Sequence, residues 1–385
     1  MRKALAFLLA LLLLPGGCAG YRPFGNDREI DRLALAETLG VDREGELLNV
    51  TVSTAAGEGQ ALLKARAVTL SRALKEMQDY TEKKYIFYGH GRQLLLGPGA
   101  LEADLERCLE FVERDGELRM DTRLYAVRDS TAEEALVRSA AGEASVGQLL
   151  DSLEKDVSLL SESHVFTCGE TAEALAERGS VLVSALRLAE PENIPGGEDR
   201  PILLSAGYAV VAGGTLAGWL DTDLARGANL LMGLSGSDLI EAPDGQGGWF
   251  AAVLTGSRAV FLPEYADGEL QKLTIRLELR CSLSELAEPL DLRDAGVVRA
   301  MEEGIARVEA WRVAEVLRIS QGLGADFCGL EKAVRRASPL RFDRMATPWK
   351  ERFPALPVAA EIAVKLTRSY EGSIEPLPGR ERAAG

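Results

Sequence analysis

The stretch LQKLTIRLELRCS, residues Leu270–Ser282, decides the class of this chain. Leu273, Ile275, Leu277, Leu279 and Cys281 occupy every second position, with Lys272, Thr274, Arg276, Glu278 and Arg280 between them. Successive side chains of a strand point to opposite faces, so a period of two predicts a half-buried strand with Cys281 on its apolar side. Just beyond it the period changes. From about Asp294 to Leu323, the residues Met301, Ile305, Val308, Val316, Ile319 and Leu323 share one helical stripe, interrupted only by Arg312. Strand and long helix side by side make the class α+β, with mixed sheets and packed helices.

Toward the amino terminus the two periods keep alternating. The turn at Glu44-Gly45 and the run Leu47–Val52 predict a hairpin. Gly59–Tyr80 carries Leu62, Leu63, Ala67, Leu70, Leu74 and Met77 at helical spacing and predicts one amphipathic helix. Tyr85–Leu96 reads as a strand around His90. Gly97-Pro98-Gly99 stops it before a helix through Leu101, Leu105, Cys108, Leu109 and Val112, and Met120–Val127 alternates again. Residues 130–190 read as helical and polar, and Pro191, Pro195, Gly196 and Gly197 as a linker. Beyond it, Ile202–Val211 and Gly214–Trp219 predict two strands, Asp221–Met232 a short helix and Ile362–Leu366 a closing strand.

A chain of 385 residues exceeds one average core, so two to three domains are expected. The expected divisions are a leader over 1–17, one region over 18–195 that extends into a middle domain if there are three, a second over 196–375, and a frayed tail over 376–385. With 46% hydrophobic and 27% charged residues the composition is that of a folded protein. Lys and Arg number 44 against 59 Asp and Glu, and a net charge of −15 excludes nucleic acid as a natural partner.

Arg2 and Lys3 precede an apolar run from Ala4 to Leu14, then Pro15-Gly16-Gly17-Cys18. The run has the form of an export signal and is shorter than the ~20 residues a spanning helix needs. Small residues before a cysteine resemble the bacterial lipobox, which makes Cys18 the expected site of lipidation, although Pro15 stands where that pattern has leucine. Two acyl chains there hold a protein stably on a membrane surface. The other four cysteines, Cys108, Cys168, Cys281 and Cys328, are either buried thiols or joined in one of three pairings.

Four stretches carry a family resemblance. NDREIDRLALAETLGVD, residues 26–42, has Arg28-Glu29-Ile30 and Gly40-Val41-Asp42 at the separation seen in the Ger(x)C hallmark. LERCLEFVERDGELRMDTRLYAV (105–127), GYAVVAGGTLAGWLDTDLARGANLLMG (207–233) and ISQGLGADFCGL followed by TPWKERFPALPVAAEIAVKL (319–330 and 347–366) continue the match in order. The chain resembles the Ger(x)C family, the lipoprotein subunit of spore germinant receptors. The resemblance implies mixed α/β domains, no enzymatic activity, no cofactor, and a place at the outer face of the spore inner membrane. It also implies two partners, a multi-span transporter-like subunit and a second membrane subunit.

The residues themselves offer no catalytic set. His90 and His164 are the only histidines, and neither stands in a triad or metal-binding pattern. Gly233-Leu234-Ser235-Gly236-Ser237 misses a nucleophile elbow because position 237 is not glycine. Asn49-Val50-Thr51 has the form of a glycosylation acceptor but falls in an expected strand. Trp219, Asp221, Arg226, Gly227, Trp349, Phe353 and Pro354 read as structural signatures, aromatic corners that lock strand to helix. Arg28, Glu29 and Asp42 read as a charged cluster, either a partner contact or a solvated surface. The expected function is assembly and signalling in the receptor. The alternative is a solute-binding lipoprotein, which requires a deep cleft with converging polar groups.

Overall fold

The computed structural model describes residues 33–54, 61–81, 85–140, 145–159, 161–193 and 201–367. The expectations attached to Cys18, Arg28, Glu29, the leader and the tail lie outside them.

The chain opens with the expected hairpin, β1 (Leu33–Glu44) and β2 (Leu47–Thr54), turned at Gly45 with φ 61°. The stretch expected as one helix from Gly59 divides. Leu62–Ala67 is a third strand, β3, antiparallel to β2, and helix α1 (Leu70–Tyr80) starts only after the Thr69 cap. Leu62, Leu63 and Ala67 fit either period, and pairing with β2 decides for the strand. Likewise Tyr85–Leu96 is two strands, β4 (Tyr85–Phe87) and β5 (Gln93–Leu96), separated by a helical turn at Tyr88–His90.

Next come α2 (Pro98–Ala103), α3 (Leu105–Arg114), β6 (Arg123–Arg128), α4 (Ala132–Ser139), α5 (Val146–Leu159) and α6 (Cys168–Arg178). The last ten residues of the segment read as helical are instead strand β7 (Ser180–Ala189), whose first seven residues are all buried. A strand covered on both faces has no polar alternation to announce it. The linker then joins β7 to its antiparallel neighbour β8 (Ile202–Ala212), with Ala189 opposite Ile202, and β9 (Thr215–Leu220) adds to the same sheet.

Among the described residues this first sheet has nine strands in the order β3-β2-β1-β5-β6-β7-β8-β9, with β4 beside β1. Strands β1, β5, β6 and β7 run parallel. One core gathers α1, α2, α3 and α6 on one face, and another gathers α4 and α5 on the other. After α7 (Thr222–Met232) a second sheet follows: β10 (Asp238–Pro243), β11 (Trp249–Ala266), β12 (Glu269–Leu286) and, later, β13 (Val358–Thr367), which is parallel to β12. β11 and β12 form a long hairpin closed at Asp267-Gly268, both with positive φ as a tight hairpin turn demands. Helix α8 (Ala295–Gly322), then α9 (Leu330–Ala337), α10 (Pro339–Phe342) and α11 (Trp349–Arg352), complete the chain. The core under this sheet also takes in Leu182, Tyr208, Val210 and Leu220 from the first. The fold is therefore α+β, with two mixed sheets sharing a core at their junction.

Candidate functional site

The sheet order reverses direction between β1 and β5, from which connections run outward both ways. Open α/β sheets take ligands at such a crevice, beyond the carboxyl ends of the strands. Here Asp42, near the end of β1, fills it. Its Oδ1 and Oδ2 accept from the Ala132 and Glu133 N–H groups at 2.7 and 2.8 Å, so an internal carboxylate sits on the amino terminus of α4. Gly97 makes the room, since a Cβ there would fall on the Asp42 carboxylate, and a Cβ at Gly40 would lie 2.7 Å from Leu136 Cδ1. Burial pushes the Asp42 carboxyl above its ordinary range while the two N–H groups hold it down. Asp42 is thus a buried strut, neither a solvated charge nor an exposed contact. Beside it Arg43 pairs with buried Asp104 at 2.7 Å.

A second constellation lies where the two sheets meet. Asp221 caps α7 by accepting from the Leu224 N–H at 2.9 Å, and the Arg128 guanidinium lies 5.5 Å from the Trp219 ring on β9. One turn into α7, Arg226 Nε stands 3.1 Å from Asp238 Oδ1. Gly227 follows because α8 crosses there: a Cβ would lie 2.9 Å from the Arg312 carbonyl. Arg312, the break in the apolar stripe of α8, is buried and reaches Glu309 Oε1 at 2.6 Å, Asp223 Oδ1 at 2.8 Å and Asp238 Oδ2 at 4.0 Å. Three carboxylates against two guanidiniums leave one negative charge in excess. Burial pushes the Asp238 carboxyl up to about 6, restrained by Arg226 and Arg312, and burial raises Glu309 as well.

The third constellation closes the chain. Asp326 accepts from the Leu330 and Glu331 N–H groups at 2.8 and 2.7 Å, and from Trp349 Nε1 at 3.1 Å. The indole stacks on Phe353 with centroids 5.3 Å apart. Gln321 donates to the Phe353 and Leu356 carbonyls at 2.9 and 2.7 Å, and Pro354 fixes the turn between them. Asp326 answers the Trp349 N–H that the sequence left unassigned, as Asp223, Asp238 and Glu309 answer Arg312. Those partners lie 23 to 89 residues away or on the next helical turn. The one local signal was a cation in an apolar stripe.

The structure does not bring the sequence-selected residues into one centre. Open cavities among the described residues touch these constellations only at their margin. One of about 470 Å3, at the carboxyl ends of β6 and β7, is lined by Arg128, Asp129, Arg187 and Asp221; one of about 540 Å3 holds His90, Arg92, Arg119 and Arg123. Among the described residues no group of His, Cys, Asp and Glu is arranged to hold a metal. Cys108, Cys168, Cys281 and Cys328 are free and buried, and burial pushes the first three thiols up to about 12. Such thiols pack as small apolar groups and are poor nucleophiles.

Comparison with known proteins follows the same architecture. A family model described as the spore germination protein N-terminal domain matches residues 26–188. One described as spore germination B3/GerAC like, C-terminal, matches residues 206–370. No curated protein matches the chain. The chain is similar in fold to the crystal structure of the GerBC protein, with a TM-score of 0.54 and 14% identity over 85% of this chain and 96% of that one. The signature residues from Trp219 to Pro354 all fall within the second matched segment and Asp42 within the first, and the chain belongs to the Ger(x)C family of spore germination proteins.

Proposed function

We infer that the chain is the non-enzymatic lipoprotein subunit of a spore germinant receptor, tethered through Cys18 at the outer face of the spore inner membrane. It assembles there with a multi-span transporter-like subunit and a second membrane subunit to pass on the nutrient signal. One observation supports this reading above others: the buried charged side chains are spent on contacts inside the molecule. Asp42 occupies the crevice where a ligand would sit, and Asp326 and Arg312 are committed to helix ends and ion pairs. Residues used in this way build a rigid platform for partners.

The test has two arms. Sporulating cells carrying wild type or Cys18→Ala are labelled with a fatty-acid probe; label on the wild-type chain alone is expected, and equal labelling refutes the tether. Spores of the two strains are then exposed to nutrients, with slowed germination of the variant expected and normal germination counting against the receptor role. The rival reading, a solute-binding lipoprotein, draws on the 470 Å3 cavity with its two arginines and several carboxylates. Calorimetric titration of the purified chain with amino acids and sugars separates the two, because micromolar binding to this chain alone favours the rival.

A further inference from the structure

Among the described residues the order of the two sheets ends on four strands, and three of them are poor templates for further pairing. β3, β9 and β10 have six residues each; β3 carries Lys64 and Arg66, β9 contains Gly218 and meets β8 with a shift of register, and β10 ends at Pro243. Short, charged, bulged or proline-bearing edges resist pairing with another chain. The fourth, β13, differs. It runs ten residues without proline or glycine, pairs with β12 along its whole length without a shift, and has no described strand on its other side.

Leu273 on β12 donates to the Pro357 carbonyl at 2.9 Å, so the odd-numbered residues of β13 turn their N–H and C=O toward β12 and the even-numbered ones turn theirs outward. Leu366 uses its outward N–H on Glu302 Oε1 at 2.9 Å, which leaves Val358, Ala360, Ile362 and Val364 open among the described residues. Their side chains lie on the core side yet are only half-buried, whereas Leu277 and Leu279, the register partners of Ile362 and Val364 on β12, are fully buried. One further strand beside β13 would satisfy the backbone and cover the side chains together.

The water-facing side of β13 selects that strand. Glu361, Ala363 and Lys365 are exposed, a carboxylate and an ammonium placed symmetrically about a small residue. Lys365 makes no ion pair among the described residues and stands beside Arg280 on β12, an unfavourable meeting of like charges. An identical strand laid antiparallel, with a twofold axis at Ala363, sets each Glu361 opposite the partner's Lys365 and each Ile362 opposite the partner's Val364. Glu361 already accepts from Arg276 at 3.2 Å, and a carboxylate has lone pairs for a second cation. Ile362 and Val364 are both even-numbered, so their outward N–H and C=O groups meet, while Glu361 and Lys365 take the non-hydrogen-bonded positions where side chains come closest. Moving the axis by one residue sets both charges against alanine or threonine; moving it by two sets Glu361 against Glu361 or Lys365 against Lys365. We propose that β13 pairs with β13 of a second copy of this chain across a twofold axis at Ala363, joining the two four-stranded sheets into one. This contact goes beyond the subunit reading and uses residues of this chain alone.

The test traps the pair with a disulfide in the full chain, oxidised in the cell extract as Ala363→Cys. Non-hydrogen-bonded partners have Cα atoms about 4.5 Å apart, within reach of a disulfide, so a covalent dimer is expected. Cys108, Cys168, Cys281 and Cys328 are buried, and wild type gives the background. Thr367→Cys is equally exposed on the same strand, but its two copies would stand about 27 Å apart, and at least a tenfold lower yield of dimer is expected. Equal yields at the two positions, or no dimer from Ala363→Cys, overturn the pairing. Added to Ala363→Cys, either Glu361→Lys or Lys365→Glu sets like charges face to face and is expected to cut the yield several-fold, whereas the two together restore it. Both side chains are exposed, and thermal melting at the wild-type temperature shows that each variant folds. Single variants that leave the yield unchanged, or an exchange that fails to restore it, overturn the register. A disulfide from Ala363→Cys to a different protein only assigns the edge to that protein and overturns the second copy.

Discussion

The first sheet is covered by helices on both faces in its parallel centre, and the second on one only. On β7 seven consecutive residues are buried; on β12 Leu273–Cys281 alternates, apart from buried Thr274, between buried apolar and exposed charged positions. The contrast separates two tasks. Where a sheet is sealed on both sides, as along β7, its tolerance of change is low at every position. A sheet sealed on one side leaves a face open to water, and substitutions there leave stability nearly untouched.

The largest effect expected from this contrast is Val183→Asp on β7, which places an unpaired charge in a two-sided core. Urea unfolding should show a loss of more than about 4 kcal/mol or no folded state at all. At the junction of the sheets, Arg312→Met leaves Glu309 without its counter-charge and Asp223 and Asp238 with Arg226 alone, and should cost about 3–5 kcal/mol in the same assay.

Asp238→Asn sharpens the comparison through pH. The folded chain holds the Asp238 proton up to about 6 against an ordinary 3.8, so this group's contribution to stability is full below about pH 4 and is lost as pH rises through 6. Stability of the variant relative to wild type should therefore climb across pH 4–6 and level off above, by about 3 kcal/mol at most, measured as melting at fixed ionic strength. Asp42→Ala orphans two buried N–H groups at α4 and should cost about 1–3 kcal/mol. Smallest is Glu278→Gln on the open face, expected within about 0.5 kcal/mol of wild type in urea. A large loss there would end the distinction between the sheets.

The same contrast explains what the sequence could disclose. β12 is legible because one of its faces meets water and writes a polar residue at nearly every second position. β7 is illegible because both faces are dry, and its apolar run reads equally well as a helix beside its helical neighbours. β11 hides for another reason: the irregularity between Leu254 and Gly256 shifts the parity, so Phe250 and Leu254 face inward before it and Ala259 and Phe261 after it. Of the candidate site, the motif positions stood out but their partners did not. Asp42 belongs with α4 some 90 residues on, a pairing that only the folded chain creates.

The connection from Ala189 to Ile202 has one more consequence. The two matched family segments part between residues 188 and 206, yet β8 and β9, most of which belong to the second segment, complete the sheet begun by the first. A chain severed in that loop would strip β7 of its antiparallel neighbour and bare a long edge of unpaired N–H and C=O groups. The two matched segments thus build one sheet between them.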